Sequence, residues 1–461
     1  MRLLSPLAVL TLATVLAAQS ATPPNERTET WPDGTIKQRH TVDEEGQQHG
    51  KLEQFAENGT RVLLATYAHG KRDGDWREWR DDGKKIRFLS YQQDQLNGHC
   101  EEFLPDGACI SVGDYRRGLR QGKWLEIDPA LLRRRTSEYR GGLLHGALRI
   151  QQKDKVLSRQ IWQDGQLIQL DDLQPFPVPR EQLRKELRSI LAKPSPVTAI
   201  DPLMSTRLDA LHRLQAYRHL CALPWQTMTL VAEWNLRCDA GAEICSIIGH
   251  LDHTPTRPPA MDEARFKLGY EGTSHSNLAI NGRLVDSIDS YMDDSDKTNI
   301  DRIGHRRWCL NPAMAKTGFG SAGQFHAMWS MDGSGSPPKG IANVCYPPRG
   351  YVPVDLFSAG RAFSIALLRG STPKKEALVV HVQELDNDYL PTGELLPLDW
   401  CAMAGGNFGG ASCIVFRPTG IAVEPGRKYL IDVSTDGGKT NDYHYLIELC
   451  AAVGDSGDEV K

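Results

Sequence analysis

The pattern of apolar and polar positions divides the chain into three parts. Between residues 25 and 166, aromatic side chains alternate with polar ones, as in Trp76-Arg77-Glu78-Trp79. This alternation predicts half-buried strands. From Leu208 onward, apolar residues recur at spacings of three and four, which predicts helices. Residues 346–452 contain short apolar runs separated by Gly and Pro, and these predict a small β-sandwich.

The amino-terminal part carries an internal repeat of 24 residues. Three series keep this step: Gly50, Gly74, Gly98, Gly122 and Gly146; Tyr67, Tyr91, Tyr115 and Tyr139; and Gly59, Gly83 and Gly107. The last series follows Asn or Asp, which is typical of hairpin turns because Gly there adopts a positive φ. A single hairpin cannot bury its own face, so we expect neighbouring hairpins to stack into an array.

A segment of different composition, residues 167–207, follows the repeats. Prolines recur at positions 175, 177, 179, 194 and 196, while Leu183, Leu187 and Ile190 recur at helical spacing. We predict a stiff Pro-rich linker around one short amphipathic helix. Such a helix either docks on a neighbouring domain or lies on a membrane surface, and we expect docking.

Composition and the amino terminus narrow the functional class. The chain has 461 residues, 24% of them charged, and a formal net charge of -4, so we predict no nucleic-acid partner. Arg2 precedes an almost wholly apolar stretch, residues 3–18, and Ala18-Gln19-Ser20 offers small residues for cleavage. We therefore expect a signal peptide over residues 1–20 and a secreted, periplasmic or cell-surface protein.

The cysteines leave two alternatives open. The ten of them are Cys100, Cys109, Cys221, Cys238, Cys245, Cys309, Cys345, Cys401, Cys413 and Cys450. Export permits disulfides, but some cysteines fit equally well as buried thiols. Cys238 and Cys245 fall two turns apart on a predicted helix, roughly 10.5 Å along its axis, so they are too far apart to bond each other.

The 24-residue units resemble MORN-type repeats in the variant of many bacterial proteins. The unit at residues 67–76, which begins Tyr67-Ala68-His69-Gly70 and ends Gly74-Asp75-Trp76, carries the likeness, and the resemblance covers about five units in all. The resemblance implies a β-meander or solenoid over residues 25–166 that docks a protein or a membrane surface. A scaffold without a ligand is the alternative.

A second resemblance covers residues 208–345. Four motifs carry it in order: Gly249-His250-Leu251-Asp252-His253-Thr254-Pro255, Ser276-Asn277-Leu278-Ala279, Asp289-Ser290-Tyr291-Met292 and Gly304-His305-Arg306. They resemble the CAP superfamily, the SCP-like domain of cysteine-rich secretory proteins, insect venom antigens and plant pathogenesis-related proteins. The resemblance implies an αβα sandwich with a cleft lined by two histidines and two acidic residues.

Four residues of this chain match the cleft of that family. His253 and His305 match its two histidines. Ser276 stands where the family has its first glutamate, and Asp289 stands where it has the second. We predict that these four residues bind a ligand. His250 and His275 have no assigned role, and the Asp-rich residues 293–301 are expected to form a solvated loop because they lack the central Gly and terminal Glu of an EF-hand.

Several kinds of chemistry are open to these residues. His253, His305 and Asp289 would give the three protein ligands of an open zinc-type site. The same groups suit general acid–base work, but neither Gly-x-Ser-x-Gly nor His-Glu-x-x-His accompanies them. The histidines also fit a purely structural role, satisfied by hydrogen bonds within the fold.

These patterns together predict a multidomain chain: a MORN-like hairpin array, a CAP-like αβα sandwich and a small β-sandwich. We expect an exported binding or interaction protein. Its repeats would dock a partner, and its degenerate cleft would hold a small ligand, a lipid or a divalent metal such as zinc. The alternative is a His-dependent or metal-assisted hydrolase of cell-envelope material.

Overall fold

The computed structural model describes residues 25–192, 201–406 and 408–455. The predicted signal peptide at residues 1–20 and the linker prolines at 194 and 196 lie outside these ranges. Contacts divide the chain into two compact units. The first comprises the residues up to 157 together with 162–165, and the second comprises residues 158–161 and those from 166 onward.

A long antiparallel sheet of 14 strands occupies the amino-terminal part, which confirms the predicted hairpin array. Its strands run in sequence order, except that β11 pairs only with β10. They are β1 (Glu26–Thr30), β2 (Ile36–Val42), β3 (Gln48–Phe55), β4 (Arg61–Ala68), β5 (Lys71–Trp79), β6 (Lys85–Gln92), β7 (Gln95–Phe103), β8 (Cys109–Arg116), β9 (Leu119–Asp128), β10 (Arg133–Arg140), β11 (Leu143–Leu144), β12 (Gly146–Gln152), β13 (Lys155–Gln163) and β14 (Gln166–Leu170).

Two alternating kinds of turn produce this meander. The Asn-Gly and Asp-Gly turns close one end of the hairpins. At the other end lie two-residue turns such as His69-Gly70, where φ is 46° and 75° and the flanking Ala68 pairs with Lys71. Positive φ at both central residues matches the right-handed twist of the strands, which is why such turns close tight hairpins.

The aromatic series of the repeat builds the core of the sheet. Tyr67 and Tyr91 lie edge-on to Trp76, with ring centroids 6.4 and 6.0 Å away. Further along, Trp124 is 3% exposed and packs directly on the backbone of Gly113, where a Cβ atom would come within 2.3 Å of the indole. The ring therefore needs a glycine at that position.

The second unit contains helices and small sheets. Its helices are α1 (Arg180–Leu191), α2 (Met204–Leu220), α3 (Ala232–Ile248), α4 (Glu263–Ser274), α5 (Leu284–Asp293) and α6 (Gly304–Cys309). Its strands are β15 (Thr229–Leu230), β16 (Ser276–Ile280), β17 (Lys316–Thr317), β18 (Phe319–Ala322), β19 (Phe325–Trp329), β20 (Asn343–Tyr346), β21 (Gly350–Pro353), β22 (Phe363–Leu367), β23 (Val379–Leu385), β24 (Leu398–Ala404), β25 (Ser412–Pro418), β26 (Lys428–Ser434) and β27 (Tyr443–Cys450).

A three-stranded sheet in the order β16-β19-β18 lies among the helices. Alternate residues of its strands point to opposite faces. Leu278 and Ala327 pack with Cys238 of α3. Ala279 and Met328 belong instead to the main core, which α2 and α5 also line. Helices therefore cover both faces of this sheet.

The carboxy-terminal strands form two four-stranded sheets, in the orders β20-β22-β25-β24 and β21-β27-β26-β23. The apolar residues of these sheets and of the helices form one continuous core. Leu187 of α1 is fully buried in it, as expected for a docked helix. Strand β20 begins at Asn343 and pairs with β22 of a carboxy-terminal sheet. Its first residues therefore belong to that sheet, although the sequence analysis assigned residues 208–345 to the CAP-like part.

Glycines allow α3 and α4 to approach each other at backbone distance. A Cβ atom at Gly272 would lie 1.9 Å from Arg237 O, and one at Gly269 would lie 2.7 Å from Ala240 O. We predict that Gly272→Ala lowers the free energy of unfolding by about 3 kcal/mol, because one of the two helices must move. Urea unfolding measures this change.

Gly282→Ala is the matched control for this prediction. No heavy atom lies within 4 Å of a Cβ built at Gly282, so the control should change the free energy of unfolding by less than about 0.5 kcal/mol. Equal stability of the two variants would contradict the close packing of α3 and α4.

Candidate functional site

His305 is held by a buried carboxylate that the sequence analysis placed in solvent. Its Nδ1 lies 2.9 Å from Asp294 Oδ1, and its backbone N–H donates to Asp294 Oδ2 at 2.9 Å. Asp294 is only 4% exposed and ends α5 with a φ of 47°. The expected solvated loop is therefore wrong at Asp294, because donors at the start of α6 satisfy this carboxylate. Asp296 and Asp301 are exposed, as expected.

Residues of two other matching motifs, Asn277 and Tyr291, also hold the backbone of His305 in place. Asn277 Nδ2 donates to the carbonyl of His305 at 3.0 Å, and the hydroxyl of Tyr291 donates to the carbonyl of Asn277 at 3.0 Å. The rings of Tyr291 and His305 lie 5.6 Å apart. Since a carboxylate only accepts hydrogen bonds, the Nδ1–H of His305 donates to Asp294, and Nε2 of the neutral ring carries the lone pair.

His253 is exposed and adopts the same tautomer. Its Nδ1 lies 2.9 Å from the carbonyl oxygen of Thr273, which accepts the hydrogen bond. The Nε2 lone pair of the neutral ring is thus available in both predicted histidines. An imidazole oriented in this way is suited to ligate a metal or to accept a proton.

The other two predicted residues are engaged elsewhere. Asp289 Oδ1 accepts hydrogen bonds from Arg213 Nε at 2.8 Å and from the Tyr217 hydroxyl at 2.6 Å. Ser276 is 2% exposed, and its Oγ lies 3.5 Å from Cys238 Sγ. The Arg213 guanidinium neutralises Asp289, and the serine hydroxyl is hydrogen-bonded to a thiol rather than to a histidine.

The structure does not gather His253, Asp289 and His305 into a three-ligand metal site. Within the described residues, only one group of three ligating side chains has all its donor atoms within 4.8 Å of one another, and it belongs to the repeat sheet. The predicted zinc set therefore does not fit this geometry. The two histidines, without Asp289, stay a prediction.

The unassigned histidines and the cysteines have identifiable surroundings. His250 is exposed, and His275 stacks on Trp329 with ring centroids 4.8 Å apart. No disulfide joins any of the ten cysteines, all of which lie in the described ranges. Burial raises the pKa of Cys238 and of Cys309 to about 12, so both thiols stay protonated at neutral pH.

A cavity of the second unit lies away from these residues. It has a volume of about 620 Å³ and is lined by the start of α1, the end of α2, the approach to β20 and the start of β27. The buried apolar part of its lining includes Leu183, Leu220 and Val344. A second cavity of about 290 Å³ shares Arg349, His444 and Tyr445 with it.

The polar part of the cavity lining includes two cationic side chains. Lys339 and Arg349 are exposed, and neither has an ion-pair partner in the part of the chain that the structure describes. His219 and His444 add imidazoles, and Asp442 is the one acidic side chain in the lining. The cavity thus presents a net positive charge.

Tyr445 adds an unsatisfied polar group to the same wall. It is 6% exposed, and its hydroxyl has no hydrogen-bond partner among the described residues. A buried hydroxyl without a partner costs free energy, so a bound molecule that reaches Tyr445 has a hydrogen-bonding group to satisfy.

The sequence analysis missed this cavity. Its lining comes from segments between residues 177 and 445, and none of these segments carries a motif by itself. Pro348 and Arg349 of the lining lie at the start of the predicted β-sandwich, where a Pro-rich segment indicates a turn and not a ligand site.

His444 is the strongest acid–base group of the lining. A hydrogen bond to Asp432 raises its pKa above the ordinary value of 6.5; burial opposes this shift, and the charges of Asp432, Asp172 and Asp171 add to it. Asp172 Oδ1 lies 3.9 Å from His444 Nε2. The imidazolium form is therefore favoured in the folded protein.

No protein-family model matches the chain, and no curated protein does. Within the ranges that the structure describes, no helix combines the length and apolarity needed to cross a lipid bilayer. The functional assignment therefore rests on the geometry of this chain alone.

Replacing Asp294 tests its part in holding His305. We predict that Asp294→Asn lowers the free energy of unfolding by about 2–3 kcal/mol, because the hydrogen bonds to His305 lose their charged acceptor. Urea unfolding measures the change. Asp301→Asn, an exposed neighbour, should stay within about 0.5 kcal/mol of the parent protein. A similar loss in both variants would contradict the assignment.

The raised pKa of His444 predicts a pH-dependent stability. Its contribution is complete below the unfolded pKa near 6.5 and is lost as the pH rises through the folded pKa. We therefore expect the difference in unfolding free energy between the parent protein and His444→Gln to shrink as the pH rises from below 6.5 through the raised folded pKa. A difference that stays constant over this interval would refute the ion pair with Asp432.

Proposed function

We propose that this is an exported binding protein whose second unit holds a small anionic molecule with an apolar body. The observation that carries the proposal is the cavity of about 620 Å³ with its unpaired cations. Clefts for small ligands range from about 300 to 1,000 Å³ and combine apolar walls with a few polar groups. This cavity meets both criteria.

The positive charge of the cavity lining favours an anionic ligand. Arg349 and Lys339 have no ion-pair partner among the described residues, so their charges are available to a bound molecule. A carboxylate, sulfonate or phosphate group would pair with these cations, and an Arg guanidinium binds such groups through two donors. A cationic ligand would meet repulsion at the same positions.

The apolar part of the cavity lining favours a ligand that also has an apolar body. Leu183, Leu220 and Val344 offer surface to a hydrocarbon or aromatic body, and each Å² of apolar surface removed from water contributes roughly 25 cal/mol. The unpartnered hydroxyl of Tyr445 would orient the ligand by one hydrogen bond. A fatty acid, a small aromatic acid or an anionic lysolipid has this combination of properties.

The fold of the second unit supports a CAP-like αβα sandwich as part of this proposal. Helices cover both faces of the β16-β19-β18 sheet, and Asn277 of a matching motif contacts His305 of another. His253 and His305 would then line a separate shallow cleft. That cleft offers two lone pairs but lacks the two carboxylates of the family.

The repeat sheet would serve as a MORN-like docking surface for a protein. Its exposed face carries hollows of about 290 and 430 Å³ that combine aromatic rings with Arg, Lys and Glu side chains. Surfaces of mixed charge and aromatic content are typical of protein interfaces.

The apolar residues 3–18, outside the described ranges, support the proposal that the protein is exported.

The ligand proposal predicts binding of anilinonaphthalene sulfonate, an aromatic anion of suitable size, to the full chain. We expect Arg349→Gln to weaken this binding by about fivefold, because one unpaired cation of the cavity is lost. Fluorescence titration of the folded protein measures the dissociation constant, and near-ultraviolet circular dichroism verifies that each variant is folded.

Arg369→Gln is the matched control, since Arg369 is exposed and lies outside the cavity lining. It should leave the dissociation constant unchanged. If both substitutions weaken binding equally, the effect comes from the net charge of the protein and not from the cavity. If Arg349→Gln leaves the dissociation constant unchanged, the cavity is not the anion site.

A further inference from the structure

The tight turns of the repeat sheet share one stabilising device. The residue before each glycine of the 24-residue series reaches the turn about 20 residues later in the chain. Asn97 Oδ1 accepts from the N–H of Arg117 at 3.1 Å, and Gln121 Oε1 accepts from the N–H of Gly141 at 3.1 Å. In the unit that precedes these two, Asp73 Oδ2 accepts from the side chain of Gln93 at 2.7 Å.

Histidines take both positions at the first of these turns. His49 holds the capping position and His69 the turn position, where Nδ1 of His49 accepts a long bond of 3.4 Å from the N–H of His69. The two rings lie 4.6 Å apart between centroids. An amide in place of His49, as at Asn97 and Gln121, satisfies the same turn, so capping alone does not require an imidazole here.

A carboxylate completes the group. Asp43, in the turn between β2 and β3, places Oδ2 2.9 Å from Nδ1 of His69. One ligating atom from each of Asp43, His49 and His69 lies within 4.8 Å of the other two, and no other such triplet occurs in the described ranges.

We propose that Asp43, His49 and His69 form a binding site for a divalent transition metal ion such as Zn²⁺. Two imidazoles and one carboxylate are a ligand set that Zn²⁺ favours, and three protein ligands leave one position open to water or to a group from a partner. Magnesium and calcium prefer sites built of oxygen atoms and would bind here only weakly.

The geometry needs little adjustment for such an ion. Tetrahedral ligands about 2.1 Å from Zn²⁺ lie ~3.4 Å from one another, between the 2.9 Å of the Asp43–His69 pair and the 4.8 Å limit of the whole group. The side chain of His69 is 69% exposed, so its ring turns without moving the backbone. Glu44 and Glu45 beside Asp43 add negative potential.

Other repeat units carry different residues at the positions equivalent to His49 and His69, and these residues provide substitutions that the turn tolerates. His49→Asn copies Asn97, and His69→Gln copies Gln93, which tolerates the same turn with a φ of 48°. A chelator first removes metal from the protein, and the chelator is then removed in turn. The protein is titrated with Zn²⁺ alone in a calorimeter. We expect one equivalent to bind, and the double variant to bind it at least about tenfold more weakly.

His145→Asn is the control. His145 holds the capping position of a later unit and lies 3.0 Å from Asp164, but no second imidazole faces it there. Its loss should leave Zn²⁺ binding unchanged. Circular dichroism verifies the sheet, and Asp43→Asn offers a third variant if the double variant unfolds. Binding by the parent protein that persists in the double variant, or no binding by the parent protein, overturns the proposal.

Discussion

Two buried guanidinium groups hold separate segments of the second unit together: Arg306 connects α5 to the start of β22, and Arg218 connects α2 to the end of α6 and the loop after it. Arg306 is 1% exposed and donates to the carbonyls of Met292 and Ala362, each at 2.7 Å. Arg218 is fully buried and donates to the carbonyls of Cys309, Asn311 and Met314 at 2.8–3.1 Å. A buried charge is tolerated only when its donors are satisfied. Burial lowers the pKa of Arg218 to about 10, so it still carries its charge at neutral pH.

This arrangement accompanies the main core of the second unit, which α1, α2 and α5 share with the carboxy-terminal sheets. Ala362 immediately precedes β22 of a carboxy-terminal sheet, whereas Met292 belongs to α5. Arg306 bonds to both, so separating the sheets from the helices would expose a guanidinium that has lost its acceptors. The same residue follows His305 in the chain, and the position of that imidazole therefore depends on the Arg306 bonds as well as on Asp294.

The sequence predicted what depends on local spacing and missed what depends on distant contacts. The 24-residue period predicted the hairpin array, because each turn and its flanking strands lie within one unit. Asp294 was misjudged because its neighbours Asp293 and Asp296 suggested a polar loop, while its burial depends on α6 folding back onto it. The cavity around Arg349 was missed for the same reason, since α1 and β27 meet only in three dimensions. Motif matching named Asp289 as a ligand but could not show its partners, which come from α2.

The capping device of the repeat sheet bears on how this part of the chain could have changed in length. Each cap reaches a turn about one unit away, so duplication or deletion of a complete unit leaves every remaining cap with an equivalent turn. An insertion of one residue within a strand would instead move all following side chains of that strand to the opposite face. Growth by whole units is therefore the route with the lowest structural cost, and substitutions such as those that created the His49–His69 pair can then diversify single units without disturbing the rest.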